Sequence, residues 1–141
     1  MPGDAAGEAQ ALQWSLWAAN EIECATNVWS FHGDRLPPAE RDLATADAVL
    51  QILAPPHRVL DQALSVQPCL LGDTFTVADL NVAAVSLRAS RMDLAATPHF
   101  RGWLERCSVR LATQKVLDWR AAEDVGTPLD AMRAAARQNR L

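Results

Sequence analysis

Half of the 141 residues in this chain are apolar, and the formal net charge is −4. A chain of this length can bury a core without a disulfide or a metal, so we expect one domain over residues 1–141. The acidic balance, with a pI near 5.3, lacks the basic surface that attracts phosphate backbones and anionic lipids. The composition therefore argues against nucleic acid and membrane partners.

The first ten residues, MPGDAAGEAQ, have neither the basic nor the apolar stretch of a leader peptide. No apolar run approaches the ~20 residues of a membrane-spanning helix. The three cysteines, Cys24, Cys69 and Cys107, lie far apart and form no CxxC pair, which is typical of reduced, buried thiols. We therefore expect a cytoplasmic protein.

Helical periodicity recurs along the chain and strand alternation does not, which predicts an all-α fold. Residues 1–10 are interpreted as a linker-like N-terminus and residues 11–120 as the main helical bundle. A C-terminal helix is predicted at 127–141, because Thr127-Pro128 is typical of a helix start. The arginines of this last helix are interpreted as a solvated face near its C-terminus; they are Arg133, Arg137 and Arg140.

The first helix is predicted from Ala11 to about Ser30, because apolar residues recur there at helical spacing. They form one broad stripe of Trp14, Trp17, Ala18, Ala25, Val28 and Trp29. A smaller apolar strip on the opposite side consists of Leu12, Leu16 and Ala19. Two faces of this helix therefore need cover.

Later helices are predicted on both sides of the middle of the chain. After the break HGDRLPP, the apolar positions of the next segment are Leu43, Ala46, Leu50, Leu53, Val59, Leu60, Ala63 and Leu64. Pro55 and Pro56 interrupt this segment, which predicts either a kink or two helices. Thr97-Pro98 begins a later helix, and its core face is Phe100, Trp103, Leu104, Cys107 and Leu111.

The stretch GDTFTVADLNVAAV places one carboxylate, Asp79, among apolar residues. If Thr76 is the N-cap, Asp79 is the third helical residue and the two side chains form a capping box. Phe75 and Leu80 then occupy the positions of a hydrophobic staple. The helix that follows is apolar on nearly every side, which predicts a central, buried helix. Asp79 is therefore interpreted as a structural residue.

Other reactive side chains form no recognisable site in the sequence. His32, His57 and His99 lie far apart without a zinc-binding spacing, so they are interpreted as loop or surface histidines and no metal is expected. Cys24 lies at the margin of the tryptophan stripe. Because no cation or helix N-terminus that would activate it is nearby, it is interpreted as an inert, buried thiol.

Glu21 falls in the middle of the tryptophan stripe, so it is expected to point into the core or into a cleft. A buried carboxylate needs a partner or a proton. One interpretation is an ion pair with Arg106 or Arg110 on a packing helix. The other is that Glu21 lines a substrate pocket together with Trp14 and Trp17.

Three motifs carry a resemblance to a known family. They are "LQW" in the first helix, "PCLLGDTFTVADLNVAAV" before and within the central helix, and "PHFRGWLERC" at the start of the next. Together they resemble the C-terminal all-helical domain of the glutathione transferase superfamily, over roughly Gln10 to Leu117. The resemblance implies an orthogonal bundle of about five or six helices around a central buried helix.

The resemblance also implies that the two domains of such a protein have different functions. In that family a preceding thioredoxin-like domain binds glutathione and activates its thiol, and the helical domain contributes the hydrophobic substrate site and part of the dimer contact. The thioredoxin-like domain is absent from this sequence, so we expect no catalytic residue, and glutathione only where that domain is supplied. A substrate site is expected at Trp14, Trp17, Glu21 and Cys24. The expected partners are a second copy, the missing domain or a small apolar ligand.

Three functions remain open at this stage. The chain is the substrate-binding domain of a glutathione transferase, inactive by itself; or a non-enzymatic docking module, as similar domains are on translation factors and aminoacyl-tRNA synthetases; or a stand-alone carrier of small apolar ligands. Fold alone does not decide among them.

Overall fold

A computed structural model describes residues 2–124, and all of its regular elements are helical. The α-helices are α1 (Ala5–Ala18), α2 (Cys24–Ser30), α3 (Leu43–Leu64), α4 (Val77–Ser86), α5 (Pro98–Ser108) and α6 (Leu111–Asp124). The predicted all-α class is confirmed. The predicted helix at 127–141, with its three arginines, lies outside the described residues.

The first helical stretch is longer than predicted. It begins at Ala5, where Asp4 Oδ1 accepts a hydrogen bond from the Gly7 amide at 2.8 Å. It runs to Arg35, because π-helical turns at Ala19–Glu23 and Phe31–Arg35 continue α1 and α2 without a break. Residues 5–10, interpreted as linker-like from sequence, are therefore helical.

The first π-helical turn changes which side chains of this stretch are buried. A π-helical turn contains more residues than an α-helical one, so it rotates the residues that follow relative to an ideal wheel. The buried positions are Ala11, Ala18, Ile22, Thr26 and Ser30. Ile22 takes the inward position and Glu21 is exposed, so the expectation that Glu21 points into the core is wrong.

Helix α3 remains one helix through Pro55 and Pro56. Its first turn is capped by Asp42, whose Oδ1 accepts from the Thr45 amide at 3.0 Å. The buried face is Ala46, Val49, Leu53, Pro56, His57, Leu60 and Leu64. Burial on both sides of the prolines holds the helix together where two backbone donors are missing. Leu43 and Val59, predicted on the buried face, are exposed.

Helix α4 packs against α1 and is buried along one side, at Ala78, Asp79, Val82, Ala83 and Ser86. Leu80, Asn81 and Ala84 are exposed. The predicted central helix is therefore buried along one side, and its outer face, although largely apolar, is exposed. A 3₁₀ turn, Leu87–Arg91, replaces the last turns of the predicted helix.

The N-terminus of α5 is capped from another helix. Asp61 Oδ1 on α3 accepts from the amides of His99 and Phe100, at 2.7 and 3.0 Å. These are orphan donors of the first helical turn, which every helix must satisfy. The helix begins with proline, Pro98, as the sequence predicted. The carboxylate that accepts from the amides of its first turn belongs to a residue 38 positions earlier in the chain.

The described residues form two compact units, one ending at Cys107 and the other beginning at Ser108. In the first, the core includes Ile22, Leu53, Leu60, Phe100 and Trp103. In the second, α6 begins at Leu111, and Gln114 Nε2 donates to the Ser108 carbonyl at 2.6 Å. Leu111 was predicted to extend the core face of α5, but it belongs to α6 because α5 ends at Ser108.

Candidate functional site

An open pocket of about 530 Å³ lies between α1, the C-terminal half of α3 and the loop that follows α3. We call it the Trp pocket. Its wall is formed by Gln10, Gln13, Trp14, Trp17, Val59, Gln67, Leu70 and Leu71. The volume lies within the usual range for small-molecule sites.

Two tryptophans dominate one side of the Trp pocket. Trp14 and Trp17 are three residues apart on α1, so they share a helix face. Their rings meet edge to face, with centroids 5.2 Å apart and an interplanar angle of 89°. Both side chains are half-buried and pack against the core. They therefore present fixed aromatic surface to the pocket.

The remaining wall is apolar or carries neutral amides. Gln67 is held in place, because its Nε2 donates to the Leu70 carbonyl at 2.9 Å. None of the lining side chains is an acid, a base, a hydroxyl or a thiol. General acid–base and nucleophilic catalysis need such groups within reach of the substrate. The Trp pocket is therefore suited to binding.

Glu21 and Cys24 do not line the Trp pocket, although the sequence grouped them with Trp14 and Trp17. Both lie beyond or within the first π-helical turn and are exposed. The interpretation of Cys24 as a buried thiol is therefore wrong. The ion pair suggested for Glu21 assumed a buried carboxylate, and the carboxylate of Glu21 is exposed. Arg106, one of the two suggested partners, donates from Nη2 to the Pro68 carbonyl at 2.9 Å.

The floor of the Trp pocket is set by a tight turn from Cys69 to Gly72. The amide of each of these residues donates to the carbonyl of the other, at 3.0 and 3.3 Å. Gly72 has a φ of 115°, a conformation that residues with a side chain rarely adopt. This turn buries Leu70 and directs its amide inward, to Asp79 Oδ1 at 2.9 Å.

Asp79 is 0% exposed and joins three parts of the chain. Besides the Leu70 amide, Oδ1 accepts from Trp103 Nε1 of α5 at 3.1 Å. Oδ2 accepts from the Thr76 amide at 2.9 Å, and the Thr76 hydroxyl lies 3.2 Å from the same oxygen. With four donors on one buried carboxylate, the arrangement is structural, and Asp79 does not line the Trp pocket.

The capping box predicted at the start of α4 is present, with Thr76 as N-cap and Asp79 at the third position. The Thr76 hydroxyl also accepts from the Ala78 amide at 3.2 Å. The two residues of the predicted staple lie in different surroundings. Phe75 packs against the core, whereas Leu80 is 55% exposed.

His57 is buried on α3, which corrects its interpretation as a loop or surface histidine. Its ring lies 4.9 Å from the ring of Phe100, and its Nε2 has no partner among the described residues. Burial lowers the pKa of His57 from 6.5 to about 4. The helical spacing of His57 from Leu53, Leu60 and Leu64 was the sequence signal for its burial. Of the other two histidines, His99 is exposed and His32 is half-buried.

In the part of the chain that the structure describes, no three His, Cys, Asp or Glu side chains come together as metal ligands would. Nor does any described helix combine the length and the apolar character needed to cross a membrane. Neither observation adds a group to the Trp pocket.

Comparison with known proteins places these features in a family. Residues 25–110 match the family profile "Glutathione S-transferase, C-terminal domain". Glutathione S-transferase GstB of Escherichia coli K12 is 29% identical over 114 residues, which cover 79% of this chain and 55% of that protein. The chain thus spans about half the length of this curated relative.

Solved structures agree with the fold. The theta class glutathione S-transferase of Xanthomonas axonopodis pv. citri, solved with glutathione bound, superposes with a TM-score of 0.72 at 28% identity. The match covers 81% of this chain and 61% of that one. Ure2p5 of Phanerochaete chrysosporium shares the fold with a TM-score of 0.76 at 18% identity, over 90% of this chain and 62% of its own.

Proposed function

Because the chain belongs to the glutathione S-transferase C-terminal domain family, we propose that it is the substrate-binding and dimerisation part of a glutathione transferase-like protein. By itself it is not catalytic. The observation that carries this proposal is the Trp pocket, which offers aromatic surface and neutral amides without a titratable side chain. Such a wall selects and orients a ligand and leaves proton transfer to other groups.

The chemistry of the wall defines the ligand class. Trp14 and Trp17 offer ring edges and faces, which favour a flat, aromatic or conjugated ligand. Gln10, Gln13 and Gln67 can donate to or accept from polar substituents such as nitro or carbonyl oxygens. The preferred ligand is therefore a small, mostly apolar molecule with polar substituents.

Glutathione enters this proposal only through another domain. The Xanthomonas relative binds glutathione, and activation of its thiol needs a placed donor or base. The Trp pocket has no hydroxyl, thiol or titratable group that could serve. We therefore propose that a thioredoxin-like domain must be supplied before conjugation occurs.

Dimerisation through the first helix is the second part of the proposal. Leu12 and Leu16 are 60% and 56% exposed, and Ala19 beside them is exposed too. These residues are the second apolar strip predicted on this helix. A second copy placed across a two-fold axis would cover the strip with an identical one.

A stand-alone carrier of small apolar ligands is the second candidate. It is favoured by the fact that all residues lining the Trp pocket belong to the first unit of this one chain. We also propose a cytoplasmic location, because none of the three cysteines forms a disulfide in the described part of the chain, as is usual where thiols are kept reduced.

The pocket can be tested by titrating tryptophan fluorescence with dinitrobenzene, an aryl probe without a leaving group. We expect saturable quenching that weakens about tenfold in Trp17→Ala, because one aromatic wall is lost. Trp29→Phe, which changes a tryptophan outside the pocket, should bind as the wild type does. Equal affinity in all three proteins would contradict the assignment of the pocket.

Catalysis is tested separately on the same proteins. The purified chain should not accelerate the conjugation of glutathione to chlorodinitrobenzene, and calorimetry should detect no saturable glutathione binding. Turnover by this chain would overturn the non-catalytic part of the proposal. If the aryl probe binds and no thioredoxin-like domain is found to accompany this chain, the second candidate, a stand-alone carrier, would be favoured.

A further inference from the structure

One polar side chain in the wall of the Trp pocket has a defined orientation. Gln67 lies in the loop after α3, is half-buried and lines the pocket. Its Nε2 donates to the Leu70 carbonyl at 2.9 Å. Because a backbone carbonyl can only accept a hydrogen bond, the amide nitrogen of Gln67, and not its oxygen, must face Leu70. The hydrogen-bond partner therefore sets which way this side-chain amide is turned.

The backbone of Leu70 is itself held in place. The Leu70 amide donates to Asp79 Oδ1 at 2.9 Å, and the same oxygen accepts from Trp103 Nε1 at 3.1 Å. Leu70 and Asp79 are 2% and 0% exposed. Gln67 is thus the pocket end of a series of hydrogen bonds that begins at a buried carboxylate. A side chain ordered in this way before a ligand arrives costs less entropy on binding.

The Oε1 atom of Gln67 is the acceptor that this arrangement leaves for a ligand. Within residues 2–124, the hydrogen bond to Leu70 is the one that Gln67 makes. Oε1 lies on the branch of the planar amide that is not turned to Leu70. An amide oxygen carries two lone pairs and accepts from O–H or N–H groups. The pocket wall therefore presents an oriented acceptor.

The other two amides of the wall have no such orientation. Gln10 and Gln13 are exposed on α1, and no described residue forms a hydrogen bond with either side chain. An exposed amide can rotate to present its oxygen or its nitrogen, so it pairs equally well with ligand donors and ligand acceptors. Gln67 is therefore the residue of this wall that can distinguish the two kinds of ligand.

A ligand that covers Gln67 displaces the water that would otherwise donate to Oε1. A ligand hydroxyl or amino group replaces that water with a hydrogen bond of its own. A ligand of the same shape without a donor leaves the oxygen unpaired, which costs the full desolvation of that group. Sites that contain an oriented polar group therefore reject analogues that lack its partner.

We propose that Gln67 determines the specificity of the Trp pocket for aromatic ligands that carry a hydroxyl or amino group. This group donates to Gln67 Oε1 while the ring packs against Trp14 and Trp17. The inference rests on the ligand-binding function proposed for the pocket, and it specifies a hydrogen-bond donor among the polar substituents of the ligand.

The experiment measures, by calorimetry, the binding of 2-naphthol and of 2-methoxynaphthalene to the purified chain. The two probes share the ring system and the oxygen atom, but only naphthol can donate a hydrogen bond. We expect naphthol to bind about tenfold more tightly. In Gln67→Met, which keeps the length of the side chain and removes the amide, naphthol should lose this advantage and the two probes should bind equally.

Gln13→Met is the matched control, because it makes the same replacement on the opposite wall of the pocket. This variant should keep the preference of about tenfold for naphthol, and thermal melts show whether both variants are folded. If Gln67 only supports the loop, Gln67→Met will weaken both probes by the same factor and the preference will remain. That result would overturn the proposal, as would equal affinities of the wild type for the two probes.

Trp17→Ala separates this inference from the proposed function of the pocket. It should weaken both probes about tenfold and leave the preference for naphthol unchanged. If the wild type binds neither probe, the proposed ligand-binding function fails, and the role of Gln67 fails with it. If both probes bind, weaken in Trp17→Ala and show no preference for naphthol, only the role of Gln67 is overturned.

Discussion

The N-terminal turn of α4 buries a polar side chain, whereas the outer face of α1 leaves large apolar side chains exposed. The turn encloses a carboxylate, Asp79, that accepts from donors in the loop, the helix cap and α5. The outer face of α1 leaves two leucines, Leu12 and Leu16, more than half exposed. Because backbone amides at a buried helix start must find acceptors, a satisfied carboxylate fixes more of this fold than exposed apolar residues do.

The largest effect is expected from Asp79→Ala. It would leave the Leu70 and Thr76 amides and the Trp103 indole without an acceptor, at a cost of about 3 to 5 kcal/mol in the free energy of unfolding. Asp79→Asn should cost less, because its amide oxygen still accepts. Urea unfolding measures both, with Asp73→Ala, an exposed carboxylate in the same loop, as the control. A loss below about 1 kcal/mol for Asp79→Ala would contradict the conclusion that this buried carboxylate stabilises the fold more than the exposed residues of α1 do.

His57 sharpens the comparison, because it is a buried polar group without the partners that Asp79 has. Its pKa is lowered to about 4 in the folded chain from an ordinary value of 6.5. As the pH falls from 6.5 towards 4, the unfolded chain takes up a proton that the folded chain refuses, so stability is lost within this window. The full shift corresponds to roughly 3 kcal/mol.

The His57 prediction is checked by measuring the free energy of unfolding between pH 7 and pH 4. His57→Leu should flatten the profile over this range. His99→Leu, which removes an exposed histidine, should keep the slope of the wild type. If both variants and the wild type show the same slope, His57 does not account for the pH dependence.

Asp61 provides a smaller test of the same principle at the start of α5. Asp61→Ala removes the acceptor for the His99 and Phe100 amides and should cost about 1 kcal/mol. Asp61→Asn should recover part of this loss. Gln62→Ala, an exposed neighbour on α3, should leave the chemical denaturation midpoint unchanged, and an equal loss in the two alanine variants would argue against a cap.

The smallest effect on stability is expected at Leu16. Leu16→Gln should change the free energy of unfolding of the monomer by no more than about 0.5 kcal/mol, because the side chain is already exposed. It should nevertheless raise the dissociation constant of a homodimer, as measured by sedimentation across a concentration series. Val66→Gln, an exposed apolar residue outside α1, should not. Wild-type protein that stays monomeric at high concentration would contradict dimerisation through this face.

Much of the fold was available from local patterns. The all-α class and the Thr76–Asp79 capping box depend on residues within a few positions of one another, so the sequence encodes them directly. The two exposed leucines of α1 were also predicted as a separate strip. For the Trp pocket, sequence reasoning found Trp14 and Trp17 and missed Gln67, Leu70 and Val59, which come from other elements.

The sequence by itself therefore determined that the fold is all-α, where α4 begins and that Asp79 serves the chain as a cap. Tertiary structure alone decided the rest. Because of the π-helical turn at Ala19–Glu23, Ile22 and not Glu21 is the buried residue of this turn. The carboxylate of Asp61 caps a helix whose first turn lies 38 residues further along the chain. Both outcomes depend on how helices pack, because packing selects among helix registers and acceptors that differ little in local energy.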